Sequence, residues 1–332
     1  MSSELPDVRP PVVVVTGPTA TGKTSLAIAL AQRFDGEIIN ADSMQVYRYM
    51  DVGTAKPSFE ERRQVPHHLI DVVDPDAHYS AGRYADAARA AARRIHGRGR
   101  IPFLTGGTGL YIRAFLEGLI PTGDADPDLR EQIEREHARA VAERDPHRLH
   151  RQLEETDPEA AARIHPNDAR RICRALEIAR TTGSSTSRVR AAHGFGDRPY
   201  RVLHLALDLE RDVLGTRIDA RCRAMVNGGL LQEMRDLLER GYGPELRPMQ
   251  AIGYRHMVPV VEGRETLANA LSAMCTDTRR FARRQRTWLR AVPEVIWVDP
   301  RDPESISRRV ETFLDLSAPG QRPAAVQNGT VV

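Results

Sequence analysis

A phosphate-binding motif at residues 17–24 constrains the fold of this 332-residue chain more than any other feature. Its letters, GPTATGKT, fit the pattern G-x-x-x-x-G-K-[ST], and they follow an apolar run at 11–16 and precede a helical pattern at 24–34. In that context the glycines let backbone N–H groups close around an anion, Lys23 adds positive charge, and the Thr24 hydroxyl is placed to bind Mg²⁺. This phosphate loop (residues 17–24) predicts a phosphate or diphosphate site, but it does not identify the ligand.

Short apolar runs alternate with helical patterns through the first third of the chain. Besides residues 11–16, strands are predicted at 37–40, 68–73, 101–105, 200–209 and 295–298. Helices are predicted at 24–34, 81–96, 211–227, 230–240 and 266–291. Strands that alternate with helices indicate a parallel sheet covered on both faces, so we predict an α/β, P-loop NTPase-like fold.

A highly charged segment with helical patterns only separates the two parts of the predicted sheet. Asp-Pro pairs at 126–127 and 157–158 open two of its helices, and Asn167-Asp168 caps a third. We therefore predict an all-helical insertion at 121–197, within a core formed by 1–120 and 198–316. Residues 317–332, rich in Pro, Gly, Gln and Asn, predict a disordered tail.

The composition is that of an ordinary soluble globular protein, with 41% hydrophobic and 28% charged residues. No apolar run approaches the roughly 18 residues of a membrane-spanning helix, and the first residues lack the layout of a secretory signal. Cys173, Cys222 and Cys275 are too widely spaced for a metal motif or a disulfide framework. We expect a cytoplasmic monomer that does not associate with membranes. The net charge of +3 says little about its partners.

Other segments are predicted to lie at the same edge of the sheet as the phosphate loop. Residues 40–47, NADSMQVY, follow the second strand, and residues 106–111, GGTGLY, follow the strand at 101–105. A further glycine turn, GTAKP, carries the lysine Lys56. Because parallel strands end at a common edge, these segments predict a deep site with phosphate at one end. From its position alone, Asp42 could be a general base, a metal ligand or a helix cap.

The segment IDVVD at 70–74 resembles the metal-holding strand of a nucleotidase. A strand end followed by an Asp-Pro turn explains it at least as well. Because neither a base-gripping pattern nor a clear arginine finger accompanies the phosphate loop, an ATPase is poorly supported.

Arginine supplies all but two of the 48 basic residues, and it clusters on predicted helices at 168–174 and 279–290. One face of the second helix carries Arg279, Arg283, Arg286 and Arg290. That spacing suits a phosphate backbone, although a solvated surface is the simpler interpretation. Phe281 and Trp288 interleave with this face and can pack or stack on bases.

Seven segments occur in the order seen in tRNA dimethylallyltransferases, and the chain resembles that family from Val12 to Val298. They are GPTATGKT, DSMQVYRYMDVGTAKP, PHHLIDVVDP, GGTGLY, HPNDARRICRALE, QAIGYR and RRFARRQRTWLR. The resemblance implies that the phosphate loop holds the diphosphate of dimethylallyl diphosphate rather than ATP. It also implies transfer of the five-carbon group to N6 of the adenosine just 3′ of the anticodon, with release of diphosphate.

The resemblance assigns roles to individual residues. It implies that Asp42 takes the N6 proton, that Thr108 places the amine and that Thr24 binds Mg²⁺. The implied diphosphate-binding residues are Gly17, Pro18, Thr19, Ala20, Thr21, Gly22, Lys23, Thr24 and Arg221. The implied tRNA contacts, made to the anticodon stem-loop, are Asp42, Ser43, Met44, Gln45, Thr108, Arg130, Arg170, Arg171, Ile172, Cys173, Arg174, Gln250, Ala251, Ile252, Gly253, Tyr254, Arg255, Arg279, Arg283 and Arg286.

Three alternatives stay open at this point. A small-molecule kinase would use the same loop for ATP, with Asp42 as the base for a substrate hydroxyl. An adenylate dimethylallyltransferase would use the same donor with a free nucleotide, although the helical insertion and the arginine clusters favour a large RNA. A non-catalytic RNA-binding protein would not need the intact Lys23, Thr24 and Asp42.

Overall fold

The computed structural model describes residues 9–119, 127–193 and 198–315. The chain divides into two compact units, one formed by Met1–Leu116 with Pro199–Val332 and the other by Glu117–Arg198. We call them the sheet unit and the helical unit. The predicted tail at 317–332 and the predicted helix start at Asp126 lie outside the described residues.

The sheet unit is built on six parallel strands in the order β3-β2-β4-β1-β5-β6. The strands are β1 (Pro11–Thr16), β2 (Gly36–Asn40), β3 (His67–His68), β4 (Ile101–Thr105), β5 (Arg201–Leu207) and β6 (Val295–Val298). The prediction of an α/β fold with a parallel sheet is confirmed.

The α-helices of the described residues are numbered in chain order. They are α1 (Lys23–Arg33), α2 (Phe59–Gln64), α3 (Ala81–Gly97), α4 (Gly109–Glu117), α5 (Pro127–Ala142), α6 (Arg148–Thr156), α7 (Pro158–Arg163), α8 (Ala169–Thr182), α9 (Thr186–His193), α10 (Arg211–Asn227), α11 (Leu230–Glu239), α12 (Tyr254–Val261), α13 (Leu267–Arg290) and α14 (Pro303–Asp315). Helices α5 to α9 belong to the helical unit. Of the helices that the structure describes, none combines the length and the apolar character needed to span a membrane.

Residues of β1 alternate between two hydrophobic cores because successive side chains of a strand point to opposite faces of the sheet. Val12 and Val14 join the core formed with α3, α4 and α10 to α13. Val13 and Val15 join the core formed with α1 and α14. All four valines are fully buried, which explains why this strand reads as a continuous apolar run. The strand thereby fixes the start of the phosphate loop in the middle of the sheet.

The helical unit has its own core, which includes Ile133, Leu153 and Ile172. The Asp157 side chain accepts a hydrogen bond from the backbone N–H of Ala160 and caps α7. The Asp168 side chain caps α8 in the same way. The helix starts predicted at these two aspartates are confirmed.

One predicted strand is much shorter than expected. The sequence predicts a strand at 68–73, but β3 ends at its second residue. Leu69 and Asp71 have φ angles of 65° and 55°, which lie in the left-handed region and interrupt a strand. The Asp71 carboxylate is held by Lys56 at 2.6 Å and by Arg62 at 3.0 Å. These ion pairs, with residues outside the segment, favour the irregular backbone over the strand that the apolar pattern predicts.

Candidate functional site

A cavity of about 260 Å³ lies in the sheet unit at the carboxyl ends of β1, β2 and β4. Its polar lining includes Thr19, Lys23, Thr24, Asn40, Asp42, Gly107, Arg221 and Gln285. Its apolar lining includes Ile38, Ala55, Pro57, Ile70 and Phe281. Ligands of open parallel sheets bind at this edge, so the position agrees with the deep site that the sequence predicts.

Hydrogen bonds to the carbonyl of Pro18 hold the phosphate loop together. Gly17 has a φ of 141°, and a Cβ there would lie 2.6 Å from the carbonyl oxygen of Leu207, so only glycine fits. The Thr21 hydroxyl and the Lys23 ammonium both donate to the carbonyl oxygen of Pro18, at 2.8 and 2.9 Å. Gly22, with a φ of 93°, precedes the first residue of α1. Gly22, Lys23 and Thr24 line the cavity, so the N-terminus of this helix lies at the cavity, as an anion site requires.

Two cations and one carboxylate meet in this cavity. Burial and, to a smaller extent, the positive charge of Arg221 lower the pKa of Lys23 to about 7, and the negative charge of Asp42 acts in the opposite direction. Burial also lowers the pKa of Arg221, against the effect of Asp42. A buried pair of cations is electrostatically unfavourable without an anion, so this arrangement suits a ligand with several negative charges.

The carboxylate of Asp42 both caps a turn and faces the cavity. Its Oδ1 accepts a hydrogen bond from the N–H of Met44 at 2.8 Å. Its Oδ2 has no hydrogen-bond partner among the described residues. Asp42 can therefore serve both as a cap and as a general base, the two roles considered from the sequence, because each role uses a different oxygen.

The 106–108 turn is joined to the segment that carries Asp42. The Thr108 hydroxyl accepts from the N–H of Ser43 at 2.9 Å and donates to the Ser43 hydroxyl at 3.2 Å. The N–H of Thr108 donates to the carbonyl of Ala41 at 3.1 Å. Gly106 lies so close to Ala41 that a Cβ would come within 2.3 Å of its carbonyl oxygen. Thr108 therefore holds the Asp42 segment directly.

Sequence analysis missed Gln285, although it lies within one of the segments that carry the resemblance. Its side chain is buried and reaches from α13 into the cavity. Its Oε1 accepts from the N–H of Thr19 at 2.9 Å, and its Nε2 donates to the carbonyl of Gly107 at 3.1 Å. The available signal was its helical spacing from the buried residues Ala282 and Leu289.

Glu233 was also missed, and it organises the loop that follows the Asp42 segment. Its carboxylate accepts hydrogen bonds from three successive N–H groups, those of Asp51, Val52 and Gly53, at 2.7, 2.7 and 2.9 Å. It also accepts from the Tyr254 hydroxyl at 2.7 Å. A Cβ on Gly53 would overlap the Tyr254 ring, which is fully buried. Tyr254 therefore supports this loop from within the core.

The other residues predicted near Tyr254 have varied surroundings. The Gln250 amide donates to the carbonyl of Pro244, and Arg255 is paired with Asp277. Gly253 has a φ of 101° and precedes α12. Ala251 and Ile252 are half-buried against the core.

Several other polar side chains are used within the protein. Gln45 donates through Nε2 to the carbonyls of Thr54 and Ala55, at 3.2 and 3.3 Å. Lys56 is buried, and it donates to Asp51, to Asp71 and to a backbone carbonyl. The other aspartate of the 70–74 segment, Asp74, is paired with Arg48. The cationic partners of Asp71 and Asp74 argue against the metal-binding interpretation of this segment, and the early end of β3 shows that the segment is not the end of a strand.

The arginine face of α13 is heterogeneous. Arg279 is paired with Asp219 of α10, and Arg286 with Asp208, which follows β5. Arg283 is exposed and has no ion-pair partner among the described residues. Arg279 and Arg286 thus bind α13 to neighbouring elements.

In the helical unit, too, some of the predicted arginines are paired with acidic residues and one is exposed without an ion pair among the described residues. Arg130 and Arg174 pair with the buried Glu177 at 3.1 and 2.8 Å, and Arg171 pairs with Asp168. The remaining predicted contacts on α8 are Arg170, which is exposed, Ile172, which is buried in the core, and Cys173, which is half-buried.

Comparison with known proteins supports a single family. The family model described as IPP transferase matches residues 45–292, and the one described as isopentenyl transferase matches residues 10–71. The chain is 49% identical over 304 residues to a tRNA dimethylallyltransferase of Desulfatibacillum aliphaticivorans, covering 92% of this chain and 98% of that protein. It is 50% identical over 301 residues to a tRNA dimethylallyltransferase of Anaeromyxobacter dehalogenans, covering 90% and 99%.

Solved structures agree with these sequence matches. The tRNA isopentenylpyrophosphate transferase of Bacillus halodurans is 40% identical, with a TM-score of 0.68, and the match covers 93% of this chain and 98% of that one. A eukaryotic dimethylallyltransferase acting on tRNA is 30% identical, with a TM-score of 0.77, and the match covers 92% and 80%. The chain therefore belongs to the tRNA dimethylallyltransferase family.

Proposed function

We propose that the protein transfers the dimethylallyl group of dimethylallyl diphosphate to N6 of the adenosine 3′ of the anticodon in tRNA. The bond between C1 of the allyl group and the diphosphate oxygen breaks, and its electron pair leaves with the diphosphate. The bond between N6 and C1 forms, and the N6 proton passes to Asp42. The observation that carries this proposal is the single cavity in which Asp42 lies with Lys23 and Arg221.

The donor end of the cavity stabilises negative charge that develops on the leaving group. Lys23, Arg221 and the N–H groups of the phosphate loop supply positive potential where the diphosphate separates. Because an allylic carbon supports positive charge, stabilising the diphosphate is the main requirement for breaking the bond. Exclusion of water from a small cavity strengthens these interactions.

Mg²⁺ fits this site. The Thr24 hydroxyl lines the cavity and has no hydrogen-bond partner among the described residues. The described residues contain no group of three His, Cys, Asp or Glu side chains placed to hold a metal. That agrees with Mg²⁺, which is commonly held by few protein groups together with substrate phosphates and water. When bound, it would neutralise charge on the diphosphate.

The acceptor end has to increase the reactivity of a weak nucleophile. The exocyclic amine of adenine donates its lone pair into the ring, so removal of a proton during attack is valuable. Asp42 has one oxygen fixed by the N–H of Met44 and one oxygen available to take that proton. Thr108 and Ser43, which are hydrogen-bonded to each other, hold this segment in place for the amine. The base must leave the anticodon-loop stack to reach Asp42.

We also propose that exposed arginines supply tRNA contacts. Single-stranded RNA loops are recognised through phosphate contacts, base stacking and arginine planes. Arg283 of α13 and Arg170 of α8 are exposed and have no ion-pair partner among the described residues. Phe281, which is 37% exposed, offers a ring on the same helix, and the Arg284 guanidinium lies 5.8 Å from the centroid of that ring. Arg279 and Arg286 have acidic partners that phosphate would have to displace.

The test uses unmodified tRNA, dimethylallyl diphosphate labelled in the allyl group, and Mg²⁺. We expect label in the tRNA, at the adenosine 3′ of the anticodon, without ATP. Asp42→Asn serves as the control, because it keeps the shape of the side chain and removes the base. Phosphate transfer from ATP would instead indicate a kinase, and label on free adenylate but not on tRNA would indicate an adenylate dimethylallyltransferase.

A further inference from the structure

The side chain of Gln285 joins the two turns that would hold the two substrates. Its Oε1 accepts from the N–H of Thr19 in the phosphate loop, at 2.9 Å. Its Nε2 donates to the carbonyl of Gly107 in the 106–108 turn, at 3.1 Å. Gln285 is 178 residues away from Gly107 and 266 residues away from Thr19 in sequence. One amide from α13 therefore sets the separation of two loops that follow different strands.

The packing around Gln285 leaves little freedom for this bridge. A Cβ on Gly107 would lie 2.2 Å from Gln285 Nε2, and a Cβ on Gly109 would lie 2.4 Å from the Trp288 ring. Helix α13 thus packs directly on the 106–108 turn and on the start of α4. The buried side chains of Ala282 and Leu289 flank Gln285 on the same helix. The amide is held from both sides, as a positioning group must be.

The energetic balance favours a role for the amide itself. Burying an amide is unfavourable unless its polar atoms are hydrogen-bonded. Gln285 meets that condition only because both loops present a backbone group to it. An apolar residue of equal length would leave the N–H of Thr19 and the carbonyl of Gly107 without this partner. The two loops would then be free to adjust their separation.

We propose that Gln285 is a positioning residue that sets the distance between the reacting carbon and the reacting amine. The inference rests on the proposed function. The phosphate loop fixes the donor through its diphosphate, and Thr108 fixes the acceptor segment through Ser43. Bond formation requires reacting atoms about 3–3.5 Å apart, and a shift of about 1 Å can lower the rate on the order of 100-fold. Gln285 acts through the two loops and contacts neither reacting atom.

The experiment compares Gln285→Met and Gln285→Glu with the wild-type protein. The Met variant keeps the length of the side chain and removes both hydrogen bonds. The Glu variant keeps an oxygen that can accept from the N–H of Thr19, but it replaces the donor to the carbonyl of Gly107 with a second oxygen. We expect kcat to fall about 10- to 100-fold in both, and in the uncharged Met variant KM for dimethylallyl diphosphate and Kd for tRNA should stay within about threefold of wild type. In the Met variant, which adds no charge to the cavity, the rate should keep the wild-type pH dependence.

Thr278→Val is the matched control. Thr278 is buried on the same helix and donates to the carbonyl of Met274 at 2.7 Å, away from both loops. Its replacement should lower the Tm and leave kcat unchanged. If the Gln285 variants lower the Tm but leave kcat unchanged, as Thr278→Val should, the positioning role is overturned. Failure of both Gln285→Met and Gln285→Glu to fold would overturn it as well. An inactive wild-type protein would instead refute the proposed function.

Discussion

Raising the pH from 6 to 9 should weaken binding of dimethylallyl diphosphate, because Lys23 loses its charge in that interval. Burial and the charge of Arg221 lower the pKa of this lysine to about 7 in the free protein. A bound diphosphate would raise the pKa again, since opposite charges favour the ammonium form. Binding above neutral pH should therefore take up a proton.

The magnitude follows from linkage between protonation and binding. If the bound pKa lies above 9 and only the charged lysine binds, affinity should fall roughly 50-fold between pH 7 and pH 9. At pH 8 about 0.9 proton should be taken up per ligand bound, and at pH 6 only about 0.1. Titration calorimetry in buffers of different ionisation enthalpy measures this uptake directly. Lys23→Met is the control, because its binding shows the pH dependence that comes from the ligand and from other residues.

The stability of the free protein should show the opposite pH trend. A lowered lysine pKa means that, between about pH 7 and pH 10, the unfolded chain binds a proton that the folded protein does not. The free energy of unfolding should therefore rise with pH in this window. Below about pH 7 both states carry the proton, so Lys23 adds no pH dependence there. Denaturant unfolding at pH 7 and 9 checks the sign, again with Lys23→Met as the control. Diphosphate affinity that is constant from pH 7 to 9, without proton uptake, would refute the reasoning.

Three further predictions concern other residues. Asp42→Ala should lower kcat on the order of 100-fold or more with tRNA affinity within a few-fold, measured in single-turnover assays, and an unchanged rate would reduce Asp42 to a structural cap. Arg283→Gln should shift the slope of log affinity for tRNA against log salt by roughly 0.7–0.9, and an unchanged slope would contradict the phosphate contact. Arg286→Gln should mainly lower the Tm, because it breaks the ion pair with Asp208. Glu233→Gln should destabilise the protein by about 1–3 kcal/mol, measured in urea, because its carboxylate accepts four hydrogen bonds; wild-type stability would contradict that role.

Local patterns were sufficient to predict the centre of the fold. The apolar run of β1, the glycines of the phosphate loop and the amphipathic start of α1 are adjacent in sequence, so their structures follow from neighbouring residues. The end of β3 was predicted wrongly because it depends on Lys56 and Arg62, which hold Asp71 from outside the segment.

Local patterns likewise predicted some residues of the site and not others. Asp42 and Lys23 were identified because they lie at strand ends and within a motif. Gln285 and Glu233 were not, since a polar residue on an exposed-looking helix gives no sign of partners nearly two hundred residues away. The arginine pattern of α13 likewise cannot reveal that Asp208 already neutralises Arg286.

The shared carbonyl of Pro18 gives Lys23 its orientation before any ligand arrives. A lysine that becomes ordered only on binding loses about 1.5–2 kcal/mol of rotamer entropy at that moment. Here the loss occurs during folding, because the ammonium is already hydrogen-bonded within the loop that surrounds the anion. A lysine has more than one N–H, so it can keep Pro18 as a partner and turn another hydrogen toward the diphosphate. The phosphate loop should therefore capture its ligand rapidly, with little rearrangement of the lysine between the free and bound states.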